Sequence, residues 1–134
     1  MTYKATLGAR GEELAARFLE DAGYSIKARN FRIFRDEFDI IAEDEKYIVF
    51  VEVKTRAQTE SNKRFGRPCL AVNYEKQKKL LRAAEAYLRR YKPNKQPRID
   101  VIEVYFSPIR EGNPVTPEDT TALDIKHLRN AVHY

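Results

Sequence analysis

The sequence predicts one α/β domain with a mixed sheet and flanking helices, and three observations support this class. The chain has 134 residues, which is a usual size for a single domain. Hydrophobic residues make up 43% of it, which is typical of a globular protein with its own core. Helical and strand patterns follow one another in the order α-β-β-β-α-β. We therefore expect a single domain over residues 1–134, with its core within 6–106 and a tail over 107–134.

Two segments have the apolar spacing of amphipathic helices. The first covers about residues 6–22, where Thr6 can cap the start. The second follows Asn73, a good N-cap, and runs to about Tyr91 before Pro93 ends it. Its apolar stripe consists of Leu80, Leu81, Ala84, Leu88 and Tyr91.

Four segments have strand patterns. Residues 24–35 mix apolar and basic side chains, and a bend is expected at Asn30. Apolar runs over 37–42 and 47–54 predict a hairpin, and residues 98–106 predict a further strand.

The remaining segments have the composition of loops. Residues 55–72 are polar and contain Gly66 and Pro68, which favours a loop. The tail after Ser107 contains several prolines, and we expect a short element around residues 123–132.

The composition limits which metals and compartments suit this chain. One cysteine, Cys69, excludes an intramolecular disulfide and a thiolate-rich zinc site, and two histidines leave little for a histidine cage. Carboxylates must therefore hold any metal, which favours Mg²⁺ or Mn²⁺. No apolar run approaches a membrane span and no signal peptide follows Met1, so we expect a cytoplasmic protein with no membrane partner.

The net charge of +5 is unevenly distributed. Residues 63–95 contain eleven Lys or Arg and two acids, a net charge of +9, so the rest of the chain carries −4. A basic segment beside a mildly acidic remainder is typical of a protein that binds a polyanion. A solvated helix face rich in bases would give the same pattern, so both interpretations stay open.

The strand patterns place two acids and a lysine on one face of the predicted hairpin. Because alternate side chains of a strand share a face, Glu52 and Lys54 point one way and Val53 points the other way. A two-residue turn places Asp39 diagonal to Glu52, and a four-residue turn places it directly opposite Glu52. Two such carboxylates repel each other unless one takes a proton or a cation lies between them. Asp39 and Glu52 are therefore candidate ligands of a divalent ion, with Lys54 beside them to orient a water or to contact a phosphate oxygen.

Helical spacing adds a further acid and several bases. On the first helix, Glu12 falls at the border of the buried face, whereas Glu13 falls in solvent. Glu12 is therefore the better candidate to reach the site. On the second helix, Lys76 falls at the border of the buried face. The bases that point outward from this helix are Lys78, Lys79, Arg82, Arg89 and Arg90.

Each of these features also has a structural interpretation. A Glu-x-Lys pair in a strand is often a surface pair of opposite charges, and Asp39 could be a half-buried acid paired with Arg32 or Lys54. Glu12 could simply favour the first turn of its helix through the helix dipole. A metal site is the interpretation that accounts for all of these residues together.

Several blocks of the sequence resemble the YraN family of small bacterial proteins. The blocks are GARGEELAARFLEDAGYSIKARNFR, DEFDIIAED, FVEVKTR, FGRP, KQKKLLRAAEAYL and RIDVIEV, and they cover roughly residues 8–106. That family is assigned by fold to the PD-(D/E)XK nuclease superfamily and resembles archaeal Holliday-junction resolvases. The resemblance therefore implies a restriction-endonuclease-like three-layer α/β/α sandwich with a central mixed sheet.

The resemblance also implies roles for individual residues. Asp39 matches the superfamily's metal-binding aspartate, Glu52 and Lys54 match its (D/E)XK pair, and Glu12 matches the helix glutamate of the resolvase-like branch. Asp39, Glu52 and the Val53 carbonyl would bind Mg²⁺ or Mn²⁺ for phosphodiester hydrolysis in structured or branched DNA. The residues expected to hold DNA phosphates are Arg56, Lys63, Arg64, Arg67, Lys76, Lys78, Lys79 and Arg82. Resolvases act in pairs, so a homodimer is compatible with this function, and a catalytically silent binding module on the same fold is the alternative.

Overall fold

In the part of the chain that the structure describes, a five-stranded mixed sheet with one helix on each face forms the framework. The structure, a computed structural model, describes residues 3–57, 73–106, 122 and 124–133. The helices are α1 (Tyr3–Asp21) and α2 (Tyr74–Tyr91). The strands are β1 (Ser25–Ile33), β2 (Asp36–Glu43), β3 (Tyr47–Ala57), β4 (Gln96–Phe106) and β5 (Asp124–Val132). The predicted α/β class is confirmed, and the architecture is consistent with a restriction-endonuclease-like sandwich.

The strands lie in the sheet in chain order, β1-β2-β3-β4-β5. Neighbouring strands are antiparallel except β3 and β4, which are parallel. A parallel pair needs a long crossover connection, and α2 lies within the segment that connects these two strands. The short element expected around residues 123–132 is confirmed as β5, whose last residue, Val132, is buried in the core.

Two predicted boundaries are wrong. Residues 55–57 were expected to start a loop, but they continue β3 because they pair with the last residues of β4. Thr6 was expected to cap the first helix, but α1 begins at Tyr3 and Thr6 lies within it. The rest of the expected loop, residues 58–72, lies outside the described residues.

The sheet separates two hydrophobic clusters, one under each helix. Val51 and Val53 pack with Leu19 of α1, whereas Phe50 packs with Leu80 of α2 on the opposite face. This alternation confirms that the buried side chains of β3 divide between the two faces as predicted. Glu52 and Lys54, which alternate with the valines, therefore lie on the α2 side.

The caps of α2 and the bend in β1 follow from local sequence. Asn73 Oδ1 accepts a hydrogen bond from the Lys76 N–H at 2.9 Å, which confirms the predicted N-cap. At the other end, Lys92 takes a left-handed conformation with φ of 45° and donates its N–H to the Leu88 carbonyl. Asn30 has φ of 50°, which confirms the expected bend in the first strand.

Strand β2 changes the face it presents at Asp39. Regular alternation would place Phe38 and Ile40 on the same side of the sheet. Instead, Phe38 packs in the cluster under α2 and Ile40 packs in the cluster under α1. The pairing of β2 with β3 reaches Ile40 opposite Val51 and goes no further. Asp39 therefore lies where the two strands separate, which opens space for side chains between them.

Neither α1 nor α2, the helices of the described ranges, is long and apolar enough to cross a membrane.

Candidate functional site

Asp39 lies at the separation of β2 and β3 and is bonded to the backbone of β3. Its Oδ2 atom accepts a hydrogen bond from the Val53 N–H at 2.7 Å. The paired positions Ile41–Phe50 and Glu43–Ile48 select the second of the two predicted registers, in which Asp39 comes opposite Glu52. The two acids are therefore neighbours, as the strand patterns predicted, and Asp39 is fixed to the strand that carries Glu52.

Glu52 is almost fully buried, with 6% of its surface exposed, and two lysines approach it. The Lys54 Nζ atom lies 3.2 Å from Glu52 Oε1, and the Lys76 Nζ atom lies 3.8 Å from the same oxygen. Lys54 comes from the same strand and Lys76 from the first turn of α2. A buried carboxylate needs such partners because losing its hydration is costly. Lys76 was predicted to contact phosphates, and the structure places it beside the acids.

Glu12 joins this group from α1 on the other face of the sheet. Its side chain shares a hydrogen bond with Asp39. Gly11 makes this approach possible, since a Cβ atom at Gly11 would lie 2.4 Å from Thr55 Oγ1 of β3. Glu13 instead pairs with Arg10 at 3.5 Å and with Arg17 at 2.7 Å on the surface. The helical spacing therefore distinguished the two acids correctly.

The carboxyl groups of Asp39 and Glu12 hold protons more tightly than free ones. Burial raises the pKa of Asp39 to about 7, and the negative charge of Glu52 adds to this effect. Burial also raises the pKa of Glu12. Two lysines offset the negative charge of Glu52. Asp39 instead accepts a hydrogen bond from the Val53 N–H and lies beside a carboxyl group that repels its negative charge. The site therefore favours a positive charge close to Asp39.

The donor set of the site suits a hard divalent ion. All of its side-chain donors are carboxylate oxygens, which Mg²⁺ and Mn²⁺ prefer over nitrogen or sulfur. In the described ranges, no group of three or more acids, histidines or cysteines is arranged so that it could hold a metal ion. Mg²⁺ is commonly held by one or two protein carboxylates and completes its shell with water and substrate phosphates. Asp39 and Glu52 fit that mode of binding.

The predicted phosphate-binding residues lie in several places. Lys78, Lys79 and Arg82 are exposed on the outer face of α2, where Lys78 pairs with Glu75 at 3.9 Å and Arg82 pairs with Asp36 at 3.5 Å. Arg56 of β3 lies 3.7 Å from Glu103 of β4. The expected bases Lys63, Arg64 and Arg67 lie outside the described residues.

Glu103 is a buried acid near the site that sequence reasoning missed. It lies beside Lys54 in the parallel register of β3 and β4, and its Oε1 atom has no hydrogen-bond partner among the described residues. A charged residue within the apolar run of residues 98–106 was the signal that could have found it.

A second polar cluster was also missed, and it lies on the α1 side of the sheet. Arg98 contacts both Asp100 oxygens at 2.9 Å and donates to the Tyr24 hydroxyl at 2.6 Å. His127 Nε2 lies 2.7 Å from Asp100 Oδ2, and the Asn130 N–H donates to Asp100 Oδ1 at 2.9 Å. Asp100 is fully buried. This cluster ties β5 to β4 and to Tyr24, which directly precedes β1, so its role is structural.

The fold and this site define a class of small α/β proteins in which acids and lysines meet at the end of a strand pair. The family model described as uncharacterised protein family UPF0102 matches residues 11–104, and the chain belongs to this family. The resemblance to the YraN family is confirmed at this level, and membership of the nuclease superfamily stays a prediction.

Relatives from several bacteria match most of the chain. It is 39% identical over 133 residues to a UPF0102 protein of Caldanaerobacter subterraneus, covering 96% of this chain and 95% of the relative. It is 43% identical over 129 residues to one of Caldicellulosiruptor saccharolyticus, covering 96% and 98%. It is 46% identical over 106 residues to one of Nocardia farcinica, covering 78% and 80%.

Proposed function

We propose that this protein is a metal-dependent nuclease that hydrolyses phosphodiester bonds in structured or branched DNA. One observation carries the proposal. Asp39, Glu52 and Lys54 meet where β2 separates from β3, with Asp39 bonded to the Val53 N–H at 2.7 Å and Lys54 3.2 Å from Glu52. Such a set combines oxygen ligands for a hard ion with an ammonium group for phosphate chemistry. The preference for branched DNA rests on the resemblance to Holliday-junction resolvases.

Asp39 and Glu52 would hold Mg²⁺ or Mn²⁺, with Glu12 in reach of Asp39 and the Val53 carbonyl as a predicted further ligand. When bound there, the ion supplies Lewis-acid polarisation of the scissile phosphate and lowers the pKa of the attacking water. Lys54 positions that water for in-line attack and offsets the charge that develops on the phosphate oxygens. Lys76, whose Nζ lies 3.8 Å from the same Glu52 oxygen, restrains this carboxylate and is available to a flanking phosphate.

The outer face of α2 would hold the rest of the DNA. Lys78, Lys79 and Arg82 are exposed there, and their partners Glu75 and Asp36 lie at 3.9 and 3.5 Å. The Lys78–Glu75 pair is exposed on both sides, and exposed ion pairs contribute about 0–1 kcal/mol, so Lys78 can exchange this partner for a phosphate at little cost. Contacts of Lys and Arg side chains with phosphates give affinity for DNA without reading its sequence. The protein would therefore recognise the shape of DNA more than its base sequence.

A catalytically silent DNA-binding module is the second candidate, and one observation favours it. Glu52 is approached by two lysines, at 3.2 and 3.8 Å, and a carboxylate neutralised in this way has less need of a metal ion. On this alternative the basic face of α2 binds DNA and the acids stabilise the fold.

One experiment separates the two candidates. The purified full-length protein is incubated with a four-way junction, a fork and a linear duplex, with Mg²⁺, with Mn²⁺ or with EDTA. The nuclease proposal predicts ion-dependent cleavage, and the binding module predicts a mobility shift without cleavage. Asp39→Ala and Glu52→Ala should abolish cleavage and leave DNA binding nearly unchanged.

Glu13→Ala is the matched control, because Glu13 is an acid beside Glu12 that pairs with surface arginines. It should cut DNA like the unchanged protein. If no substrate is cut with either ion and calorimetry detects no Mn²⁺ binding, the enzyme proposal is wrong.

A further inference from the structure

Phe34 occupies a turn where its backbone conformation is unfavourable and its side chain gains no stability from burial. It is the first residue of the two-residue turn between β1 and β2, which closes at the pair Ile33–Asp36. Its φ of 55° lies in the left-handed region, whereas Arg35 has no such φ, and turns of this type favour glycine at the first position. Its ring is also 83% exposed. Local stability therefore does not explain an aromatic residue here, and such an outlier points to a function.

The exposed ring of Phe34 lines a cleft between this turn and the last turns of α2. The cleft has a volume of about 190 Å³ and is lined by Phe31, Arg32, Ile33, Phe34, Ala86, Arg90 and Tyr91. Tyr91 was predicted to lie on the apolar stripe of α2, but it is 46% exposed and forms one wall of the cleft. Behind it, the Tyr91 ring stacks on Tyr87 at 4.6 Å and meets the edge of Phe31 at 6.0 Å. The Phe31 wall therefore packs against the core and the Tyr91 wall packs on Tyr87, whereas the Phe34 ring is largely in solvent.

The charged residues of the cleft are all basic. Arg32 and Arg90 line it, Arg35 follows in the turn, and no acid is among the lining residues that the structure describes. Arg32 also pairs with Glu37 of β2 at 3.5 Å on the exposed surface. The Arg90 guanidinium lies 5.5 Å from the centre of the Tyr91 ring. Flat aromatic faces combined with arginines suit unpaired nucleobases, whose planes stack on rings while the phosphates meet the guanidinium groups. A second copy docking through the same face would bring two sets of arginines into one interface, and bringing like charges together is costly.

The cleft lies at the same end of the sheet as the candidate metal site. Strand β2 leads from the turn to Asp39, a span of five residues or about 16 Å at the rise of a strand. Arg82 of α2 lies alongside this path, 3.5 Å from Asp36. A DNA strand that leaves the site along β2 would therefore meet the Arg82 side chain first and the aromatic cleft next.

We propose that this cleft binds unpaired nucleobases of DNA at a branch point or single-stranded end. This inference rests on the proposed function, since it needs DNA at the neighbouring site. The cleft supplies the preference for unpaired over fully paired DNA, and the basic face of α2 supplies affinity for any duplex.

The test compares the affinity of the full chain for a blunt duplex and for the same duplex with an oligo(dT) tail. The unchanged protein should prefer the tailed duplex. Phe34→Gly and Phe34→Leu should weaken binding of the tailed duplex by roughly 5- to 100-fold and leave the blunt duplex unaffected. Phe34→Gly should also raise the melting temperature, because glycine suits the left-handed turn position. A structural role for Phe34 would instead lower stability and binding together.

A fluorescence measurement gives an independent readout. The chain contains no tryptophan, so Phe34→Trp introduces a single tryptophan into the cleft, which can be excited selectively over the eight tyrosines. Its emission should be quenched by the tailed duplex and unchanged by the blunt duplex.

Each of the following outcomes would overturn the inference. If the unchanged protein binds both duplexes equally, or if Phe34→Gly keeps the preference, the cleft does not bind bases, while duplex binding and cleavage still support the proposed function. If Phe34→Gly changes the sedimentation of the protein but not its preference, the cleft is a contact between copies. If no DNA binds at all, the proposed function and this inference are both wrong.

Discussion

The Val53 N–H donates a hydrogen bond to Asp39 Oδ2 at 2.7 Å, across two strands whose ladder has already ended. A backbone donor of β3 is thus satisfied by a side chain of β2. The bond fixes an acid beside Glu52 although burial and like charge both oppose its ionisation. In the metal-free protein, the ionised form of Asp39 is therefore disfavoured.

Asp39→Asn should stabilise the metal-free protein at pH 8. The pKa of Asp39 is raised from 3.8 to about 7, so the unfolded chain releases this proton at lower pH than the folded chain. The stability that this carboxyl contributes therefore falls as the pH rises from about 4 to about 7, and is constant above that. Asparagine keeps an acceptor for the Val53 N–H and carries no charge. We expect a gain on the order of 1–3 kcal/mol at pH 8 that shrinks towards pH 5.

Urea unfolding in EDTA at the two pH values measures this gain, with the exposed Glu20→Gln on α1 as the control. A loss of stability at pH 8 would show that the carboxylate has a stabilising partner. Adding Mg²⁺ should stabilise the unchanged protein and leave Asp39→Asn much less affected.

Gly11→Ala should move α1 away from β3. The new Cβ would lie 2.4 Å from Thr55 Oγ1, which is too close for any packed pair. We expect a destabilisation of about 1–3 kcal/mol, reduced by the better helix propensity of alanine, and a loss of activity because Glu12 is displaced. Thermal unfolding and the cleavage assay measure the two effects.

Thr55→Ala provides the matched test of that contact. It removes Oγ1 and leaves Thr55 Cβ, which lies at an ordinary 3.6 Å from the added carbon. In this background, Gly11→Ala should no longer destabilise the protein. If it still does so by the same amount, the helix is held in place by something other than this contact.

Neutralising Lys78, Lys79 and Arg82 together should weaken binding to duplexes of any sequence. The slope of log affinity against log salt should become shallower by about one for each phosphate contact that is lost. The control neutralises three exposed basic residues that are not part of α2, namely Arg17, Lys27 and Lys46. Equal slopes for both variants and the unchanged protein would exclude the outer face of α2 as a phosphate platform.

Asp100→Asn should strongly destabilise the fold and leave the candidate site chemically unchanged. Burial alone would raise the pKa of Asp100, but hydrogen bonds from His127, Arg98 and the Asn130 N–H together hold it below the ordinary value. The stability that this group contributes is therefore complete at neutral pH and is lost as the pH falls below about 4. Removing its charge leaves Arg98 buried without its partner, at a cost of about 3–5 kcal/mol.

Chemical unfolding at pH 7 measures this cost, and Asp124→Asn at the exposed start of β5 is the control. A change of less than about 1 kcal/mol would show that Arg98 finds other partners, such as Tyr24, when Asp100 loses its charge.

Much of the candidate site could be predicted because strand and helix periods act locally. The alternation of β3 separates Glu52 and Lys54 from Val53, and the helical period separates Glu12 from Glu13. The N-cap at Asn73 could likewise be predicted, because its hydrogen bond is made with the backbone three residues further on.

Contacts between distant elements could not be read in this way. The pairing of His127 with Asp100 joins residues 27 positions apart, and the approach of Lys76 to Glu52 depends on how α2 lies across the sheet. No sequence pattern links Phe34 with Tyr91. They line the same cleft only because the turn between β1 and β2 lies beside the end of α2.

The sequence by itself determined the α/β class, the helices and strands, and the faces on which the acids of β3 and α1 lie, because these depend on backbone periods and hydrophobic spacing. The tertiary structure alone decided which register joins β2 to β3, where β2 turns at Asp39, and which lysines and aromatic rings meet at the end of the sheet. Those outcomes depend on long-range packing, where small differences in twist and approach decide which side chains touch.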